Sequence, residues 1–85
     1  MNDQIIDLAG FVPEFYRMKG AYLEILGKHE EAKENYDYAL DIDSKHAKAY
    51  YYRSKYYRAK NMIKEAEVDM QKCIELDKSY EEKAN

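Results

Sequence analysis

The chain has 85 residues, 46% hydrophobic and 36% charged, with 14 Lys+Arg against 17 Asp+Glu and a formal net charge of -3. This length bounds it to one small domain and excludes an enzyme built from separate cofactor and substrate domains. The charge balance excludes an overall basic, nucleic-acid-coating protein, but not a local basic patch.

One Cys leaves no internal disulfide, so nothing requires an oxidising compartment. No run of about 18 apolar residues exists to span a membrane. The start, Met1-Asn2-Asp3-Gln4, lacks the basic-then-apolar order of a secretory signal. A cytoplasmic location is expected, with the nucleus as the other reducing compartment. Three Gly and one Pro are few for an all-β domain, and Ala, Glu, Lys, Leu and Met favour helix. Ten Tyr are the odd feature, each an apolar body with a polar tip.

In chain order, residues 1–12 are ambiguous: Ile5, Ile6 and Leu8 suit the end of a helix or an apolar strand. Pro13 suits a helix start, where its missing N–H is not needed. Phe15, Tyr16, Met18, Tyr22, Leu23, Ile25 and Leu26 then follow at helical spacing, and Gly27 is expected to stop the helix in the left-handed conformation. A second helix, Glu30 to Ile42, carries Ala32, Tyr36, Ala39 and Leu40 on one side. Asp41, Asp43 and Ser44 break the chain, with Ser44 as the expected N-cap of the third helix, Ala47 to Lys60. Asn61 ends that helix. The fourth, Ile63 to Leu76, turns Ala66, Met70, Cys73 and Ile74 inward, and Ser79–Asn85 is expected to open a fifth.

These helices are two copies of one unit. Shifted by 34 residues, Tyr16 falls on Tyr50, Gly20 on Ser54, Tyr22 on Tyr56, Gly27 on Asn61, Ala32 on Ala66 and Asp43 on Asp77. Small falls on small where helices approach closely, and left-handed-tolerant falls on left-handed-tolerant at the turn. A period of this size means stacked helical hairpins.

Residues 13–46 and 47–80 resemble two tandem tetratricopeptide repeats. The family pattern is an aromatic, Leu-Gly and Tyr on the first helix, then Ala, an aromatic and often a closing Pro. The first unit reads Tyr16, Lys19-Gly20, Leu23, Ala32, Tyr36, Ala39; the second reads Tyr50, Arg53-Ser54, Tyr57, Ala66, Met70, Cys73. Lys19 and Arg53 depart from the usual Leu, and Ser44 and Lys78 from the usual Pro. The resemblance implies an all-α fold of two stacked antiparallel helix-turn-helix repeats, a fragment of an α-solenoid. It leaves 1–12 as an N-terminal segment and 81–85 as the start of a truncated capping helix.

Chemistry-bearing residues are few. His29 and His46 lie in or beside turns, without a second ligand at metal-binding spacing, and read as solvated. Cys73 aligns with Ala39 and reads as a small buried hydrophobe rather than a nucleophile. Glu30, Glu31 and Glu34 read as surface carboxylates paired along their helix with Lys. No phosphate-cradling Gly loop is present. No catalytic residue, metal or cofactor is expected, and the chain reads as a non-enzyme.

The third helix stands out. Lys48 to Lys60 holds Lys48, Arg53, Lys55, Arg58 and Lys60 with no acid, interleaved with Tyr50, Tyr51, Tyr52, Tyr56 and Tyr57. Tyr50, Tyr56 and Tyr57 align with the packing stripe, which leaves mainly Tyr51 and Tyr52 expected in solvent. Lys48, Tyr51, Lys55 and Arg58 are spaced by 3, 4 and 3 and share one stripe. One repeat earlier that stripe is Glu14, Arg17, Ala21 and Glu24.

In the resembled family these positions line a concave groove that binds an extended peptide. The resemblance therefore implies a peptide site at Arg17, Lys48, Tyr51, Lys55 and Arg58, with an acidic peptide as complement. Chaperone-binding members clamp a terminal carboxylate with Lys, Asn and Arg side chains of successive first helices. In one register Arg17 stands for Lys, but Ala21 and Tyr52 fill the Asn positions. In the other Lys48 fits, but Met18 and Tyr52 stand for Asn and Arg. Neither register reproduces that clamp.

The expected function is a non-catalytic protein–protein interaction module, an excerpt of a larger scaffold or co-chaperone-like protein. Repeat arrays usually need three or more units, so exposed repeat ends also suggest self-association. The alternative is single-stranded nucleic-acid binding through the basic, Tyr-rich third helix.

Overall fold

The computed structural model describes residues 8–84. They form α1 (Leu8–Ile25), α2 (His29–Ile42), α3 (Ala47–Ala59), α4 (Ile63–Leu76) and a 3-10 helix (Lys78–Ala84). No strand occurs among the described residues. The helices pack as two antiparallel hairpins, α1 on α2 and α3 on α4, joined by the α2–α3 contact.

The hairpin turns obey one local rule. Gly27 has φ 82° and Asn61 has φ 63°, both left-handed. At each, two amides fold back onto the preceding helix. Lys28 N–H donates to Leu23 O (2.8 Å) and Gly27 N–H to Glu24 O (3.0 Å); Met62 N–H donates to Tyr57 O (2.8 Å) and Asn61 N–H to Arg58 O (3.0 Å). This double bond pattern satisfies carbonyls that the helix end would otherwise leave open, and it needs a residue that tolerates positive φ.

The link between repeats is also duplicated. Asp43 Oδ1 accepts from Lys45 N–H, and Asp77 Oδ1 from Ser79 N–H, both at 3.0 Å. Asp43 N–H donates to Ala39 O and Asp77 N–H to Cys73 O, both at 2.9 Å. The Asp carboxylate, not Ser44, organises this turn. His46 occupies the N-cap position without a side-chain cap bond, and the Ser44 carbonyl accepts from the Tyr50 hydroxyl. A short carboxylate reaching two residues ahead makes the turn by itself.

The first helix departs from its expected start. It begins at Leu8, and Pro13 lies inside it with its ring fully buried. Pro13 lies in the second turn, so the helix runs through it with one i→i−4 hydrogen bond missing. Residues 1–7, which include Ile5 and Ile6, lie outside the described residues. The apolar spacing of α1 also divides. Tyr16 and Leu23 pack on the core, while Phe15, Met18, Tyr22, Ile25 and Leu26 are exposed, because no described element covers that side.

Close approach decides the small residues. A Cβ on Gly20 would lie 2.5 Å from Tyr36 Cε1 and 3.0 Å from the Ala32 carbonyl oxygen, so α1 and α2 meet where only Gly fits. Ala32, Ala39, Ala49, Ala66, Cys73 and Ser54 are all fully buried. Around them Tyr36 and Tyr56 fill the seam between repeats, with Leu23, Tyr52 and Tyr57 packed alongside. At the far end Tyr80 of the 3-10 helix covers Met70 and Cys73.

A bidentate ion pair lies at the seam. Arg53 of α3 donates from Nε to Asp69 Oδ2 (2.7 Å), from NH2 to Asp69 Oδ1 (2.9 Å), and from NH1 to Asp37 Oδ1 (2.7 Å). Asp69 is buried on α4 and Asp37 is half-buried on α2. Burial works against the Arg53 charge, but the hydrogen bonds and charges of Asp69 and Asp37 outweigh it and hold the guanidinium firmly ionised. This accounts for Arg at a position where the resembled pattern has Leu.

Two stability outcomes follow. Asp69→Ala should cost ~2–4 kcal/mol, because it strands a partly buried cation, whereas Arg53→Leu with Asp69→Leu should cost less than that single change. Denaturant melts of the three proteins check the order. Ser54 Oγ is buried with no hydrogen-bond partner, so Ser54→Ala should raise stability by ~0.5–1.5 kcal/mol; a loss on the same melts would show that the hydroxyl is satisfied.

Candidate functional site

The stripe of α3 meets α1 across a groove of about 410 Å³ lined by Ala21, Glu24, Ile25, Tyr36, Tyr52, Lys55 and Ala59. Its basic side is built in layers. Tyr51 and Tyr52 pack edge to face with ring centres 5.7 Å apart. Lys55 Nζ, one turn on, sits 5.3 Å from the Tyr51 ring centre and 5.6 Å from that of Tyr52. Arg17 reaches across from α1 and places Cζ 4.7 Å from the Tyr52 ring centre. The negative ring faces attract both cations.

Of the five residues expected at the site, Arg17, Tyr51 and Lys55 thus share one cluster. Lys55 is exposed, while Arg17 is buried and Tyr51 half-buried. Arg58 is exposed but lines a separate hollow with Glu67, Met70, Gln71 and Ile74 of α4. Lys48 is exposed in the first turn of α3. Sequence reasoning passed over Tyr52, which connects Arg17 to Lys55. Its position three residues before Lys55 carried the signal, but its alignment with Met18 gave no reason to single it out.

Tyrosine exposure differs from expectation. Tyr51 is covered by Tyr80, whose ring centre lies 5.1 Å away, and by Tyr52. The strongly exposed tyrosines are Tyr22 on α1 and Tyr38 on α2. Tyr22 has no neighbouring helix on its side among the described residues, and Tyr38 lies on the outer side of α2 beside Tyr16. None of the five α3 tyrosines stands free in solvent. Base stacking requires exposed ring faces beside the cations.

The charges of the groove are also shared out by the fold. Lys60 pairs with Glu30 across α3 and α2, and the Tyr56 hydroxyl donates to Glu30 (3.1 Å). Glu30 is thus partnered between helices rather than along its own helix, because α3 delivers a cation closer than any Lys of α2. Its carboxyl lies below the ordinary value through hydrogen bonds from Lys60 and Tyr56. Arg53 is committed to its two aspartates. Lys48, Lys55 and Arg58 remain exposed along the stripe.

His46 is not a solvated turn residue. Its Nε2 donates to Glu14 Oε1 (2.9 Å), bridging the start of α3 to α1. Glu14 also accepts from Arg17, so it fixes the base of the Arg17 arm. His29 is exposed, with Nδ1 2.8 Å from Glu24 Oε1. Cys73 is fully buried, and burial pushes its thiol up to about 11, so it packs as a small apolar group. Among the described residues no group of three or more His, Cys, Asp or Glu is arranged to hold a metal. None of the described helices is long and apolar enough to cross a membrane.

Glu14 sets a pH dependence. Partial burial raises its pKa, but hydrogen bonds and charges from Arg17 and His46 outweigh this and hold it below its ordinary value of 4.5. A carboxyl depressed in the folded state stabilises fully above its unfolded pKa and loses that contribution as pH falls through the folded value. Glu14→Gln should therefore be less stable than wild type at neutral pH, and the gap should close on acidification below the ordinary carboxyl range. Urea melts at three pH values check this; a gap independent of pH would remove Glu14 from the ionic network.

Comparison with known families gives a match to the tetratricopeptide repeat model over residues 13–46 and again over 47–80. No curated protein and no solved structure matches the chain. The two matched stretches cover most of the sequence and coincide with the α1–α2 and α3–α4 hairpins. The chain therefore belongs to the tetratricopeptide repeat family, whose repeats mediate protein–protein interaction.

Proposed function

We propose that the chain is a non-catalytic interaction module whose α1–α3 groove binds an extended acidic peptide segment. The observation that carries this reading is the Tyr51–Tyr52 pair overlaid by Lys55 and Arg17 at the edge of the groove. The rings offer apolar contact, and Lys55 offers a solvated cation already held against them. Lys48 and Arg58 extend the positive stripe along α3 and steer an acidic segment toward it. Glu14 and His46 hold Arg17 in place, so the α1 wall is positioned before any ligand arrives. Ala21, Ile25 and Ala59 supply room for apolar side chains between the charges.

Tight binding is not expected from such a surface, because each exposed ion pair contributes only ~0.2–1 kcal/mol and is screened by salt. Lys55→Glu with Arg58→Glu should weaken binding of acidic peptides about tenfold while leaving the fold intact, since both side chains are solvated. Titrating acidic and basic peptide pools against wild type and this variant tests the reading. Equal binding of the two pools, or undiminished binding by the variant, overturns it. Tighter binding of single-stranded nucleic acid than of any peptide overturns it in favour of the other ligand class.

A further inference from the structure

Apart from Ile25, which also lines the groove, one large feature of the molecule lies outside it. Phe11, Phe15, Met18, Tyr22 and Ile25 are 67%, 59%, 53%, 60% and 81% exposed. Their spacing is 4, 3, 4 and 3, so they form one continuous stripe along α1. Val12 and Leu26 widen it and are also exposed. The concave-side residues Glu14, Arg17 and Glu24 are engaged elsewhere, in contacts with one another, His46 and His29.

The repeat itself shows what this stripe is shaped to do. One repeat later, Phe15, Met18 and Tyr22 become Ala49, Tyr52 and Tyr56. There α2 covers the face, and Ala49 and Tyr56 are buried. The same register on α1 has no covering element among the described residues. The opposite end of the stack is different, because the 3-10 helix lays Tyr80 over Met70 and Cys73. A head-to-tail stack of copies would have to displace that turn. With one face open and the other closed among the described residues, assembly by a two-fold axis, face on face, is favoured.

We infer that a second copy of this chain covers the α1 stripe, giving a closed dimer built on α1 against α1. A stripe with a mean spacing of 3.5 is the pattern that two helices share when they wrap at a shallow left-handed angle. A recess of about 190 Å³ lined by Phe11, Glu14, Phe15 and Met18 opens here. It provides a hole for a side chain of the facing helix. The exposed apolar surface of the stripe is on the order of 700 Å², close to the ~800 Å² that each partner contributes to a stable interface and well above a scatter of single residues. The dimer axis lies on the side of α1 away from Arg17, so the interface adjoins the groove only at Ile25, which lines its edge.

Sedimentation equilibrium of the full chain across a wide concentration range tests this, with Met18→Glu and Phe15→Glu as variants and Val68→Glu, exposed on α4, as control. Wild type and the control should form a reversible dimer, and each stripe variant should raise the dissociation constant at least ~30-fold. Circular dichroism should show unchanged helix content, because both replaced side chains are exposed. A wild-type monomer up to about 1 mM overturns the proposal and assigns the stripe to residues upstream of α1 or to another protein. Open-ended growth beyond a dimer, or a dimer indifferent to both stripe variants, also overturns it.

Discussion

Arg53 ties together three of the four helices, and the relation between the two repeats depends on it. Its guanidinium spans from α4 through its own helix to α2, using both edges of the planar fork. Everything near the seam is arranged around this bridge. Tyr50 and Tyr57 flank it, with ring centres 5.8 and 5.9 Å from Cζ. A bidentate carboxylate fixes direction as well as distance, which an apolar residue at the same place would not. The cost of burying these charges is offset by full pairing, so removing one partner costs more than replacing both by apolar residues.

The stacking of the two repeats in turn forms the groove. Gly20 brings α1 close to α2, the buried cluster of Ala32, Tyr36 and Tyr56 sets α3 beside α2, and α1 then faces α3 across an open channel. The channel takes its charge from what the seam does not consume. Arg53 and Lys60 are neutralised in holding the repeats together, and the basic residues left over lie on the solvent side of α3. The α1 wall carries two basic and two acidic residues, Arg17 and Lys19 with Glu14 and Glu24, whereas α3 carries four basic residues and no acid. Glu14 links the walls at one end through Arg17 and His46, and Glu30 links α2 to α3 at the other through Lys60 and Tyr56.

The ends of the stack are unlike each other for a related reason. Both repeats close with the same Asp turn, and after Asp77 that turn leads into Tyr80, which folds onto α4. Tyr80 therefore serves α4 as the following helix of a longer array would. No described segment does the same for α1, so residues with the size and spacing of a core stripe remain at the surface.

The sequence by itself determined the repeat, the turns and the helices apart from the start of α1, which lies at Leu8 and not at Pro13. Gly27 and Asn61 mark the left-handed positions because few residues tolerate positive φ, and Asp43 and Asp77 mark the linking turns because a short carboxylate reaches its own backbone. Small residues at Gly20, Ala32, Ser54 and Ala66 mark the close contacts for the same steric reason. These are local or periodic constraints, readable along the chain. Only the tertiary structure decided which tyrosines are covered, where α1 begins to be exposed, and which charges are consumed. Arg53 with Asp69, Glu30 with Lys60 and Glu14 with His46 are 16, 30 and 32 residues apart. Nothing in the spacing of such partners distinguishes them from solvated neighbours, because their meeting depends on the angle at which whole helices stack.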